Sequence, residues 1–304
     1  MPFICVQGLS TWTGVSISAL AAAHGSDISG PCLPHPRDYR LTDGVPDWLI
    51  VIILGVIEGV TEFLPISSTG HLLIAEQWLG GQTDLFNVGI QSGAVVAVVA
   101  VFTERLRSFV TRFSERETQQ YVFKLAAAFG VTAVGGLVLK AMHFELPETA
   151  VPVAWATLIG GVLFLVVERW IRGRELAGEI CWRVAILIGA GQLLAAVFPG
   201  ASRSGSTILV ALLLGVNRKA AVEFSFLLGV PTLLAAGGLQ LVSALRDPAA
   251  EPIAWGHLGL GLVVSALTAF VAVRWLLKFV QSHTFESFGY YRIVLGVLIL
   301  ALLA

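Results

Sequence analysis

Long apolar runs restrict this chain more than any other feature. Residues 125–139, 151–167, 184–197, 258–273 and 293–304 contain no charged side chain. A bilayer core of about 30 Å is crossed by about 20 apolar residues of helix, because a helix satisfies its own backbone hydrogen bonds. Charged residues make up 13% of the chain, where a soluble domain carries about 25%. No segments of about ten alternating residues recur, which disfavours a transmembrane β-barrel. The chain therefore reads as an all-α polytopic membrane protein with about six transmembrane helices. A net charge of −1 implies no nucleic-acid partner, and Cys5, Cys32 and Cys181 are scattered without metal-ligand spacing.

Two polar segments interrupt the apolar pattern. The first, within residues 55–80, holds Glu58, Glu62, Ser67, Ser68, Thr69 and His71 around Pro65. The second, residues 198–207, reads Phe-Pro-Gly-Ala-Ser-Arg-Ser-Gly-Ser-Thr. In each, an apolar helix stops at Phe and Pro, a hydroxyl-rich turn with Gly follows, and a short apolar helix restarts. Ser67-Ser68-Thr69-Gly70 aligns position for position with Ser202-Arg203-Ser204-Gly205. Matched breaks in two halves predict an inverted-topology repeat with its site between the halves near mid-membrane. The expected halves are about 48–145 and 151–304, within one membrane domain, 46–304, behind a poorly ordered extension, 1–45. A first span is expected over 48–64. Neither the short helix after residue 71 nor the segment just beyond residue 84 reaches across alone, so two re-entrant helical hairpins are expected.

The basic stretches 104–116 and 169–183 mark cytoplasmic loops, and Arg274 and Lys278 a third cytoplasmic end. Residues 143–148 and the C-terminus then lie outside. The helix leading to Pro199 carries the second polar segment past mid-membrane, which predicts a chamber open to the outside.

Glu58 and Glu62 are four apart and share one helix face. Two buried like charges need a cation, a proton or an arginine. They fit catalysis, a divalent metal site, transport of a cation, or a structural pair. Ser67 or Ser68 suits the start of the next helix, whose N-terminal amides form an anion site if they face inward. His71, three residues after Ser68, is a candidate base or acid. Arg203 between Ser202 and Ser204 offers a bidentate fork for a phosphate, or an ion pair with Glu58 or Glu62. Ser202, Ser204 and Thr207 add neutral donors. An inverted-repeat transporter or lipid carrier without hydrolysis shares this architecture and is the competing class.

Two segments, E-G-V-T-E-F-L-P-I-S-S-T-G-H at 58–71 and P-G-A-S-R-S-G-S-T at 199–207, resemble the signature regions of the bacterial undecaprenyl-diphosphate phosphatases, the BacA-type bacitracin-resistance family. The resemblance runs from about residue 48 to the C-terminus and includes E-F-S-F-L-L-G-V-P at 223–231. It implies hydrolysis of undecaprenyl diphosphate to the monophosphate in the bacterial cytoplasmic membrane, with the prenyl tail kept in membrane lipid. It also implies a divalent cation, Mg²⁺ or Ca²⁺, on Glu58 and Glu62. By motif position it gives catalytic roles to Glu58, Glu62, Ser68, His71 and Arg203. Ser67, Thr69, Ser202, Ser204 and Thr207 become substrate contacts. Either Ser68 attacks phosphorus with His71 taking its proton, or His71 activates a water. A homodimer is the one protein partner expected. A second lipid-phosphatase type expects a His separated by five residues from a Ser-Arg pair; after Ser202-Arg203 that position, directly following Ile208, is Leu209, and this type is set aside.

Overall fold

The structure is a computed structural model that describes residues 45–142, 149–246 and 252–303. The expected extension, apart from Val45, and the connection 143–148 lie outside the described residues. Eleven helices are present among the described residues, and no strand beyond one isolated bridge. Six are long and apolar enough to cross a membrane: α3 (Asp84–Val101), α5 (Arg116–Ala141), α6 (Ala150–Ile171), α9 (Arg218–Arg246), α10 (Trp255–Phe279) and α11 (Glu286–Leu303). Four shorter ones meet at the polar segments: α1 (Asp47–Thr61) with α2 (Ser68–Leu79), and α7 (Trp182–Val197) with α8 (Arg203–Leu213). The remaining helix, α4 (Thr103–Thr111), occupies basic sequence expected to be loop. Its Arg105 pairs with Glu223 of α9 at 3.2 Å and lies 4.5 Å over the Tyr121 ring of α5.

The same local chemistry builds both short pairs. Ser67 caps α2, its Oγ accepting from Gly70 N at 3.3 Å, and Ser202 caps α8, accepting from Gly205 N at 3.1 Å. Both serines have left-handed backbone, φ 73° and 67°, which a residue with a Cβ adopts at a cost of about 1–3 kcal/mol. Each short helix ends at a glycine of positive φ, Gly80 and Gly215.

The hairpins enter from opposite ends of the molecule. Val45, Leu79, Phe86 and Leu258 share one apolar cluster, so α1 begins where α2 ends and where α3 and α10 start. At the other end, the loop between α6 and α7 meets the end of α8: Ala177 N donates to Gly215 O at 2.7 Å and Asn217 N to Ala177 O at 2.8 Å. Arg218 of α9 grips the buried Glu168 of α6, which also accepts from Phe285 N at 2.8 Å. Thus α1 is not the crossing span expected over 48–64; it is the entering arm of a hairpin whose returning arm is α2.

The neighbours repeat across the two sets. Helix α10 covers α1 and α3, while α5 covers α7 and α9. Helices α6 and α11 pack against each other, with α6 also on α8 and α11 also on α2. Close approach of α1 to α10 relies on Gly59, where a Cβ would collide with Thr268 and the Ser265 carbonyl.

Candidate active site

The tips of the two hairpins meet, and the two acids, Ser68 and Arg203 meet with them. Glu58 and Glu62, one turn apart near the end of α1, are buried. Ser68, the first residue of α2, donates its hydroxyl to Glu62 Oε2 at 2.8 Å. Arg203, the first residue of α8, reaches the other Glu62 oxygen with Nη2 at 3.3 Å and the Ser225 carbonyl with Nη1 at 3.2 Å. Its guanidinium carbon sits 5.1 Å from the Phe63 ring centroid. The slot for it exists because position 229 is glycine: a Cβ there would lie 2.8 Å from the guanidinium carbon.

Ordinary pairing leaves three atoms over. Both carboxylate oxygens of Glu58 and Nε of Arg203 are buried without a hydrogen-bond partner. Leaving such groups unmatched costs on the order of 1–3 kcal/mol each, more when charged. The site therefore holds acceptors suited to a cation or proton beside a donor suited to an anion.

The other expected site residues fall into distinct positions. His71 makes no hydrogen bond to Ser68. Its Nδ1 lies 2.7 Å from the Ser67 carbonyl and its Nε2 2.7 Å from the Tyr291 hydroxyl of α11. Ser204 and Thr207 are fully buried, and their hydroxyls serve the fold. Ser204 Oγ reaches the Glu62 and Leu64 carbonyls, both at 3.2 Å. Thr207 Oγ1 bonds the Arg203 and Ser204 carbonyls, both at 3.0 Å, and Ser225 Oγ at 2.6 Å. Ser202 is half-buried with its Oγ 3.2 Å from that of Ser204. Thr69 is exposed on the first turn of α2.

Sequence reasoning missed Arg292 of α11, a completely buried side chain. Its guanidinium donates to Pro65 O in the first turn and to Gly200 O and Ala201 O in the second, at 3.1–3.2 Å. Two more bonds go to Thr157 O and Ala156 O of α6. Thr157 joins in, donating to Gly200 O at 3.2 Å. One cation thus ties both turns to α6 and α11. No motif marks it; a lone arginine between the apolar residues of a last span was the available signal.

Among the described residues no group of three or more His, Cys, Asp or Glu side chains is arranged to hold a metal. The donor set that fits a hard cation is the Glu58–Glu62 pair, since Mg²⁺ uses one or two carboxylates and takes its other oxygens from water and phosphate. The cavities of about 380 and 450 Å³ that open between α3, α9 and α10 are lined by other residues.

Residues 51–298 match the family model described as bacitracin resistance protein BacA. Similar curated proteins include an undecaprenyl-diphosphatase of Rhizobium etli, 51% identical over 259 residues, covering 85% of this chain and 98% of that protein. One of Rhizobium leguminosarum bv. trifolii is 51% identical over 261 residues, covering 85% and 98%. One of Xanthomonas oryzae pv. oryzae is 46% identical over 255 residues, covering 84% and 96%. With the family model spanning both hairpins and relatives matched over nearly their whole length, the chain belongs to the BacA bacitracin resistance family.

Proposed function

We propose that this chain is an integral phosphatase of the bacterial cytoplasmic membrane that hydrolyses undecaprenyl diphosphate to undecaprenyl phosphate and orthophosphate, regenerating the cell-wall lipid carrier. Its relatives are named for that diphosphatase activity. The observation that carries the reading is the run Ser68–Glu62–Arg203, a hydroxyl, a carboxylate and a guanidinium in one hydrogen-bonded line between two helix N-termini.

In this reading Ser68 Oγ attacks the terminal phosphorus, and its proton passes to Glu62, the acceptor 2.8 Å away. The P–O bond to the lipid monophosphate breaks, and water then hydrolyses the phosphoserine. Glu62 as proton acceptor replaces the His71 role that the spacing suggested, because His71 is engaged elsewhere. Arg203, through its unpartnered Nε, and the α2 and α8 N-termini oppose the charge on the transferred group. Glu58 and Glu62 would hold Mg²⁺ or Ca²⁺, which when bound offsets negative charge on the diphosphate. Arg203, Ser202 and the exposed Thr69 remain the proposed phosphate contacts, with Ser67, Ser204 and Thr207 shaping the turns that present them. A homodimer belongs to the same reading; a single-chain mass in mild detergent would remove it.

The test is orthophosphate release from C55 diphosphate by purified protein, with and without chelator. Ser68→Ala should lower turnover by at least about 100-fold, the usual reach of a lost nucleophile or acid–base partner. Substrate labelled in the terminal phosphate should leave label on the wild-type protein and none on Ser68→Ala. Unlabelled protein with normal release would favour direct attack by water. Lipid movement without phosphate release would favour the carrier reading.

A further inference from the structure

We propose that Tyr291 is a positioning residue that acts through His71 on the turn presenting Ser68, an inference that rests on the phosphatase reading above. The carbonyl of Ser67 has no proton to give, so the 2.7 Å contact with His71 Nδ1 requires that Nδ1 carry the hydrogen. In the neutral ring Nε2 is then a bare lone pair, and the Tyr291 hydroxyl at 2.7 Å donates to it. Both ring nitrogens are committed, one to each side: α11 holds the imidazole, and the imidazole holds the Ser67 carbonyl.

That carbonyl belongs to the strained residue of the turn. Ser67 sits at φ 73° and also caps α2 through its side chain. The peptide carrying it joins Ser67 to Ser68, so anchoring its oxygen fixes the direction in which Ser68 leaves the turn. Ser68 must leave toward Glu62 for its 2.8 Å bond. The second turn has no imidazole, since Ser206 stands where the alignment of the two turns would put one. There Arg292 supplies the anchor through Gly200 O and Ala201 O. Tyr291 and Arg292 are consecutive on α11, and Arg292 also donates to Pro65 O of the first turn, so one helix holds the second turn through Arg292 and the first through both residues. The tyrosine is 46% exposed, whereas the arginine is fully enclosed. Its hydroxyl can therefore be removed without opening the core.

Tyr291→Phe keeps the ring and deletes only the hydroxyl. It should lower kcat about tenfold while leaving KM within about twofold, since the loss acts on the reacting serine. His71→Asn offers an amide donor for the Ser67 carbonyl, but its amide oxygen, on a side chain shorter than the ring, falls short of the place Nε2 holds beside the phenol. In that background Tyr291→Phe should change kcat by less than about twofold, because coupled groups are non-additive. Equal losses in both backgrounds, or an unchanged kcat in Tyr291→Phe alone, overturn the proposal. Nitrogen spectra of protein labelled at histidine give a readout independent of turnover. One ring should appear as the Nδ1–H tautomer in the wild type and lose that fixed state in Tyr291→Phe; an unaltered spectrum overturns the contact. If the wild type released no phosphate, the enzyme reading would fail while this spectrum still decided the contact.

Discussion

Arg203 is held by three unlike partners, the Glu62 carboxylate, the Ser225 carbonyl and the Phe63 ring. Only a planar fork meets all three at once. Lysine keeps the charge but puts it on a single point with no Nε to spare. Arg203→Lys should fold normally and lose about 2–4 kcal/mol of transition-state stabilisation, roughly 30- to 1,000-fold in kcat/KM. Near wild-type turnover would take Arg203 out of the reaction. Glu58 asks the opposite question, because its two oxygens have no partner. Glu58→Gln removes a charge that is costly to bury alone, so thermal stability without added cation should hold or rise. The cation concentration for half-maximal activity should rise about tenfold or more; an unchanged requirement would assign Glu58 to something other than the metal. These residues were legible because acids and an arginine inside apolar sequence stand out on cost alone. Arg292 and Tyr291 were not, because their partners in the first turn, Pro65 for one and His71 for the other, lie near the opposite end of the sequence.

At the level of elements, the paired breaks disclosed which segments correspond but not how they pack. Their alignment matches Ser67 to Ser202 and Gly70 to Gly205, and both caps repeat in detail. What stayed hidden is the exchange of partners, α10 on α1 and α5 on α7, since apolar faces in lipid carry no code for which helix they meet. By neighbours α6 answers to α11, and we propose that the boundary between the units lies in the loop 172–181 rather than at 145–151. The slot on α9 is equally silent in sequence. Gly229 reads as one more small residue in a membrane helix, yet a Cβ there would press on the Arg203 guanidinium. Gly229→Ala therefore separates stability from function. Alanine in a helix interior gains about 0.5–1 kcal/mol over glycine, which only partly offsets the weakened Glu62 and Ser225 bonds of Arg203, so the protein should still fold with at most a modest fall in melting temperature. The displaced guanidinium should cost at least about tenfold in kcat, because errors near 1 Å at a site are that expensive. A variant that is both stable and fully active would show that Arg203 has room to spare.

Across the whole molecule the charges orient the fold. Arg105 with Glu223, Arg218 with Glu168 and Arg172 with Glu286 bind the basic loops together at one end. The positive-inside rule makes that end cytoplasmic. Hairpin α7–α8 then enters from the cytoplasm and α1–α2 from outside. Depth follows from Thr157, which touches the second turn and accepts from Arg292. It lies seven residues from the Ala150 end of α6 and fourteen from the Ile171 end, or about 10 Å and 21 Å at 1.5 Å per residue. The joined tips thus stand in the outer half, in line with an outward-facing chamber. Ser206, buried beneath the second turn, is a poor reporter of access, whereas Thr69 is exposed. Three cysteines in turn, with the native ones otherwise replaced, make the test. Native Cys181 is exposed in the loop before α7, and should react with an impermeant thiol reagent only in inside-out vesicles. Gly81→Cys, where a Cβ meets nothing within 4 Å, should react only in intact cells. Thr69→Cys should follow Gly81. Labelling of Thr69→Cys from the cytoplasmic side alone would keep the opposed hairpins and turn the chamber inward, and reversal of the first two would invert the molecule.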